Sequence, residues 1–247
     1  MSFDRMEEVG TQRGRAWLHD PDGHDRGPRF GGNMTRLAVI GGTGYAGGHI
    51  IEQAKAKGID VVSYSRTRPE TPIDGVEYRT GDFTDEKVAS EIVADADVVV
   101  VTAAPRGDML GRVETGTAQL ADLAAASGTR LFVVGGAGSL RAYEGGPLVF
   151  DTEGFPEPVQ PEAREAARML DALRERGDDL DWCYISPAAG FGSFAPGEAR
   201  GTYRTGGDVL VTDEAGESFI SGADFGLAIA DEVATPAHRG TRFTVAY

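Results

Sequence analysis

From residue 36 onward, short apolar runs rich in valine, isoleucine and leucine alternate with stretches whose apolar residues recur at helical spacing. Runs at 37–40, 61–64, 76–79, 97–102, 131–135 and 182–186 predict strands, and the continuous apolar character of most of them predicts burial on both faces. The segments 44–57, 85–94, 108–126 and 161–176 predict helices, the last with Pro161 in its first turn and Gly177 as its stop. Strand and helix in alternation is the pattern of a parallel sheet with crossover helices. After residue 186 the rhythm changes to Gly- and Pro-rich loops with strand-like pieces at 201–204, 208–211 and 218–221, followed by a helix at 223–233 and a strand at 242–245. The expected architecture is one doubly wound α/β domain over 34–247. A small C-terminal cap region is expected, with substrate-cap elements in 187–222.

Residues 1–33 are polar, rich in Gly, Asp and Arg, and carry no sustained apolar period, so a disordered extension is expected there. Met34 stands just before the first strand, and translation is expected to start at it. A chain of 247 residues with 40% hydrophobic and 26% charged composition fits a single globular core. The net charge of −15 speaks against a nucleic-acid partner, because phosphate-backbone binding draws on Lys and Arg, and it speaks equally against an anionic membrane surface. The longest apolar run, around 98–101, is far too short to span a bilayer. The lone Cys183 permits no intramolecular disulfide and no Cys-rich metal site, and the four histidines show no ligand spacing. No metal is expected. A cytoplasmic location is, since the N-terminus also lacks an apolar signal-peptide core.

The segment from Leu37 to Ile50 carries the strongest motif. Glycines at 41, 44 and 47 fall between a predicted strand and a predicted helix, where they permit a tight turn, close approach of backbone to a pyrophosphate, and close packing of helix on sheet. The helix N-terminus offers unpaired N–H groups and partial positive charge to phosphates. Gly41, Thr43, Gly44, Tyr45, Ala46 and Gly47 are therefore expected to cradle a dinucleotide. After the second strand the chain reads Ser65-Arg66-Thr67-Arg68, with no acid to hold the ribose hydroxyls of NAD(H). Arg66 suits a 2′-phosphate instead, so NADP(H) is expected to be preferred, with NAD(H) possible. The alternative is that Arg66 and Arg68 simply solvate a loop. Asp82 sits where a carboxylate accepts from an adenine amino group, or where it caps the next helix, a role open also to Thr84 and Asp85.

These motifs, with Gly81-Asp82-Phe83, Val101-Thr102-Ala103-Ala104 and Val134-Gly135-Gly136-Ala137-Gly138-Ser139, resemble the atypical short-chain dehydrogenase/reductases over residues 36–247. Within that group the chain is similar to NAD(P)H-binding proteins related to biliverdin reductase B, flavin reductases and NmrA-like proteins, a likeness carried also by 181–188, 203–208 and 242–245. The resemblance implies a Rossmann-type fold. It further implies that Ser65, Arg66, Asp82 and Phe83 lie along the adenosine half of the cofactor, that Thr102, Ala103 and Ala104 pass under a ribose, and that Gly136, Ser139, Pro187 and Ala188 flank the nicotinamide.

The chain departs from the usual pattern at the catalytic Tyr-x-x-x-Lys pair. Tyr143 is followed four residues later by Pro147, and the helix that should carry the pair reads Gln160-Pro161-Glu162-Ala163-Arg164-Glu165. Alcohol–ketone interconversion by that pair is therefore not expected. Hydride transfer to a flavin, a quinone or a similar planar acceptor needs positioning more than acid–base chemistry. Ser139, Tyr143 and Arg106 are the candidate polar groups, with Ser139 and Tyr143 the candidate catalytic pair. Phe191, Phe194 and Tyr203 either wall an acceptor pocket or seal a small core. The leading expectation is an NAD(P)H-dependent reductase acting on a small molecule. The alternatives are an NmrA-like sensor that reports to a protein partner without turnover, and a nucleotide-sugar epimerase or dehydratase, which the missing pair weakens.

Overall fold

The structure, a computed structural model, describes residues 35–247; the expected extension over 1–33 and the expected start at Met34 lie outside the described residues. Strand β1 (Arg36–Ile40) leads through α1 (Tyr45–Ala56) to β2 (Asp60–Ser65) and β3 (Glu77–Thr80). Helix α2 (Glu86–Asp95), β4 (Val98–Val101), α3 (Arg112–Ser127), β5 (Arg130–Val134), α4 (Gln160–Arg174) and β6 (Trp182–Pro187) follow, and then β7 (Arg204–Gly206), α5 (Gly222–Ala234) and β8 (Thr241–Ala246). They form one eight-stranded sheet in the order β3-β2-β1-β4-β5-β6-β8-β7, parallel except for β7, which pairs antiparallel with β8. This is the Rossmann-type, doubly wound architecture.

The strands read as continuous apolar runs because both faces are covered. Ala38 and Ile40 of β1 face one core with Val99 and Val101 of β4, under α2, α3 and α4. Leu37 and Val39 face the other with Val98 and Val100, under α1 and α5. Helices α1 and α5 approach almost to backbone contact: a Cβ added to Gly226 would lie 2.5 Å from the His49 carbonyl oxygen. The thiol of Cys183 is fully buried in this second core, where burial pushes its pKa up and keeps it from acting as a nucleophile.

Two expectations need correction. The single helix expected at 108–126 is instead a short 3-10 turn at Gly107–Met109 followed by α3, because Gly107 and Gly111 both take left-handed backbone angles (φ +60° and +79°) that interrupt helical propagation. Of the strand-like pieces expected after residue 186, only Arg204–Gly206 becomes a strand, and it extends the main sheet beyond β8. Residues 208–211 and 218–221 are loops tied by the isolated bridges Arg141↔Val209 and Gly190↔Phe219. Their apolar residues cover β8 and the α1–α5 layer without a partner strand long enough to form a ladder.

Candidate functional site

Strand order reverses between β1 and β4, since the chain moves outward through β2 and β3 on one side and through β5 and β6 on the other. A crevice opens at such a point above the carboxyl ends of the strands. The turn at 41–44 stands over it. Gly41 has φ +82°, its N–H donates to the Tyr64 carbonyl (2.8 Å), and its own carbonyl accepts from Gly44 N–H (2.9 Å). A Cβ on Gly41 would lie 2.6 Å from Thr102 Oγ1, and one on Gly47 would lie 2.3 Å from the Gly41 carbonyl oxygen. Both positions therefore exclude every side chain. Thr102 Oγ1 donates to the Ile40 carbonyl (2.7 Å), tying the end of β4 to the end of β1, and Ser65 Oγ accepts from Thr43 N–H (3.3 Å), tying β2 to the turn.

Helix α1 begins at the crevice with Gly44 as its N-cap, with no side chain capping it and no acid in its first turn. By contrast, Asp85 caps α2 and Ser221 caps α5, each with an acid in the first turn. The N–H groups of Tyr45, Ala46 and Gly47 thus begin a helix whose dipole no local carboxylate offsets. That is the chemistry of an anion cradle, and a dinucleotide pyrophosphate fits it.

At the adenosine side, Arg66 is exposed directly after β2, and its Nη1 donates to Asp108 Oδ2 of the β4–α3 turn. Asp82 Oδ1 accepts from Thr84 N–H (3.0 Å) and Thr84 Oγ1 (2.8 Å), and Oδ2 accepts from Arg112 Nη2 (2.7 Å). Burial opposes ionisation of Asp82, but these donors outweigh it and hold its pKa below the usual carboxylate range. Of the two roles weighed for this position, the cap of α2 falls to Asp85, whose Oδ1 accepts from Lys87 and Val88 N–H. Phe83 turns its ring into the core against Gly116, so its side chain is structural.

At the opposite end, Gly136 leads into a 3-10 turn at Ala137–Ser139, while Pro187 and Ala188 are buried at the end of β6. Ala103 is half-buried and Ala104 exposed after β4. Ser139 is buried, and its Oγ and its carbonyl oxygen each accept from Arg242 Nη1 (3.0 Å). Tyr184 donates to the Ala166 carbonyl (2.8 Å), and burial raises its pKa. Arg242 is anchored by Asp208, whose Oδ1 accepts from Nε at 2.7 Å. Ser139 is thereby held by Arg242. Tyr143 is 64% exposed on the following loop, folded over Gly146, so the structure gives the two candidate catalytic residues contrasting environments. Arg106 makes a two-pronged pair with Glu162 (2.8 and 2.8 Å).

The aromatic candidates also separate. Phe191 stacks on Phe225 (4.3 Å between ring centroids) and leans on Tyr45, sealing α1 against α5, while the Tyr203 hydroxyl donates to Asp231 Oδ2 (2.8 Å) on α5. Phe194 stays 79% exposed. A groove of about 740 Å³ lies beside the Ser139 loop, lined by Arg141, Arg204, Asp208 and Val211 among others. Sequence reasoning missed Arg242, Asp208 and Tyr184. The available signal was a charged residue, Arg242, inside a strand of otherwise uncharged residues, Thr241–Ala246.

A Gly-rich turn that excludes side chains, set at the switch point of a doubly wound sheet, defines a dinucleotide-binding domain of the atypical short-chain dehydrogenase/reductase kind. A family model described as NAD(P)H-binding matches residues 41–236, and the chain belongs to that family. It is 36% identical over 212 residues to the uncharacterized protein YwnB of Bacillus subtilis (strain 168), covering 85% of this chain and 97% of that one. Among solved structures it is similar to a Streptococcus pneumoniae TIGR4 protein provisionally named an NADH-flavin reductase, at 31% identity and TM-score 0.77, covering 86% of this chain and 99% of that one. It is likewise similar to a Bacteroides thetaiotaomicron protein provisionally named an epimerase, at 26% identity and TM-score 0.77, covering 87% and 97%. Among the described residues no helix is long and apolar enough to cross a membrane.

Proposed function

We propose that the protein is a cytoplasmic NAD(P)H-dependent reductase that passes hydride to a small planar acceptor such as a flavin or quinone. The observation that carries this reading is the anion cradle of α1: an uncapped helix N-terminus packed so closely behind the turn that Gly41 and Gly47 admit no side chain. A reduced nicotinamide, when bound, supplies the hydride. Around it, Gly41, Thr43, Gly44, Tyr45, Ala46 and Gly47 hold the pyrophosphate through backbone N–H groups, Ser65, Arg66 and Asp82 line the adenosine half, Thr102, Ala103 and Ala104 support a ribose, and Gly136, Pro187 and Ala188 flank the nicotinamide. Arg66, with no acid beside it on β2, favours the 2′-phosphate of NADPH over NADH.

The acceptor class follows from what the polar side chains are doing. Ser139 Oγ accepts from Arg242 and Arg106 is paired with Glu162, and none of the chain's lysines (Lys55, Lys57, Lys87) follows a tyrosine by four positions. Such a site suits an acceptor that takes its proton from water and disfavours a carbonyl or sugar alcohol that needs one from the protein. The same engagement of Ser139 suits a dinucleotide sensor of the NmrA-like kind, which acts through a protein partner. One experiment separates the two. NADPH and NADH are titrated by fluorescence, and FMN, a benzoquinone and a tetrapyrrole are then added while absorbance of the reduced nicotinamide is followed. Acceptor-dependent loss supports the reductase. Tight binding without turnover across the panel favours the sensor, and binding of neither nucleotide overturns both.

A further inference from the structure

The β4–α3 turn reaches across the crevice and places a carboxylate on Arg66, the residue directly after β2. Resting on the cofactor reading above, we propose that Asp108 tunes the choice between NADPH and NADH by standing on Arg66 as a surrogate for the 2′-phosphate. In many dinucleotide domains an acid at the end of β2 discriminates against the extra phosphate. Here that position is Ser65-Arg66, and the acid comes instead from a different element, some forty residues later in the chain.

The physical case is one of ion exchange. Asp108 is the main cause of a raised pKa at Arg66, and the bond from Arg66 in turn lowers the pKa of the Asp108 carboxyl, so both partners are ionised at neutral pH. Their side chains remain 51% and 67% exposed, and an ion pair this open is held only weakly. A phosphate dianion makes stronger charge-assisted bonds to the guanidinium fork and displaces the carboxylate. The displaced group has room to move: Gly107 and Gly111 flank its turn at positive φ, with no heavy atom within 4 Å of the place a side chain would take.

It cannot move far, however. Met109, the next residue, is buried in the core. The carboxylate therefore stays close to the incoming phosphate and weakens its binding. The guanidinium of Arg112 is already paired with Asp82 and offers no compensation. NADPH must displace one anion and tolerate its neighbourhood, whereas NADH meets no such conflict. The preference that Arg66 confers is thereby moderated, and the protein keeps use of both cofactors.

The test compares dissociation constants of NADPH, NADH and adenosine 2′,5′-bisphosphate for the wild type, Asp108→Asn, Arg66→Ala and the double variant, at one fixed salt concentration. Asp108→Asn is expected to tighten NADPH and the bisphosphate by roughly three- to tenfold and to leave NADH within about twofold. On the Arg66→Ala background the same change should give less than about a twofold gain. Asp108 is an exposed position, so the substitution does not threaten folding. A wild type that binds both dinucleotides, with its affinity for NADPH relative to NADH unmoved or lowered by Asp108→Asn, overturns the role of Asp108 alone. Weaker NADH binding by Asp108→Asn would overturn it too, by making Asp108 a ribose ligand. A wild type that binds neither dinucleotide overturns the cofactor reading and this proposal with it.

Discussion

Gly47 sits where the turn and the helix that follows share one van der Waals surface. Its missing side chain leaves the Gly41 carbonyl oxygen 2.3 Å, and the Gly42 Cα 2.7 Å, from where a Cβ would stand. A Gly47→Ala substitution must push the turn away from α1, an overpacking that costs about 1–3 kcal/mol. The expected outcome is a folded protein with lowered Tm and NADPH affinity down at least about tenfold, measured by thermal denaturation and fluorescence titration. Unchanged affinity would show that the turn does not hold the pyrophosphate. The position was readable from sequence alone, because only glycine fits a backbone-to-backbone contact and the flanking strand and helix were plain from their periodicity. Ser139 was readable only halfway. Its place after β5 followed from the motif, but its partner Arg242 lies 103 residues away on β8, and no local pattern reports a bond of that span.

Helix α4 illustrates how an element can be located correctly and misjudged in purpose. Its buried residues Ala163, Ala166, Met169, Leu170 and Leu173 follow helical spacing, and the segment was expected at 161–176 on that ground. Glu165 shares the buried face, which periodicity alone marks as an anomaly. The structure resolves it: Glu165 Oε2 accepts from Gly111 N–H (2.6 Å) and Oε1 from Glu114 N–H (3.0 Å), so α4 supplies the N-terminal cap that α3 lacks in its own sequence. The helix that carries the catalytic pair in the usual short-chain dehydrogenases here serves to fix α3, and with it the turn that bears Asp108. Glu165→Ala leaves the Gly111 and Glu114 N–H groups without their cap at a positive helix end and is expected to cost about 1 kcal/mol, read from chemical denaturation. Glu165→Gln, which keeps an acceptor, should recover part of that loss. The boundary between the 3-10 turn and α3 escaped sequence reading because Gly107 and Gly111 sit among residues of good helical character, and only their positive φ values separate the two.

The domain as a whole is closed at the amino ends of its strands by a buried ionic knot, on the opposite side from the crevice. Arg130 at the start of β5 and Glu232 near the end of α5 are 5% and 4% exposed, and Arg130 Nη2 donates to Glu232 Oε1 at 2.9 Å. Glu232 Oε1 also accepts from Ala237 and His238 N–H (2.9 Å each), so the carboxylate fastens the α5–β8 connection to the sheet. Burial alone would raise the Glu232 pKa, but the donors from His238, Arg130 and Ala237 prevail and lower it. A carboxyl whose folded pKa lies below its unfolded one contributes stability that is complete above the unfolded value, about 4.3, and disappears as pH falls through the folded value. Replacing it removes that contribution at neutral pH and leaves the buried Arg130 charge with Asp181, at 3.2 Å from its Nε, as its remaining ion partner. Glu232→Gln is expected to lower unfolding free energy by about 2 kcal/mol at pH 7, and the gap from wild type should narrow as pH drops below about 4.3. Urea denaturation of both proteins at pH 7, 5 and 3.5 checks it: a gap that stays constant to the lowest pH would mean that the charge on Glu232 plays no part.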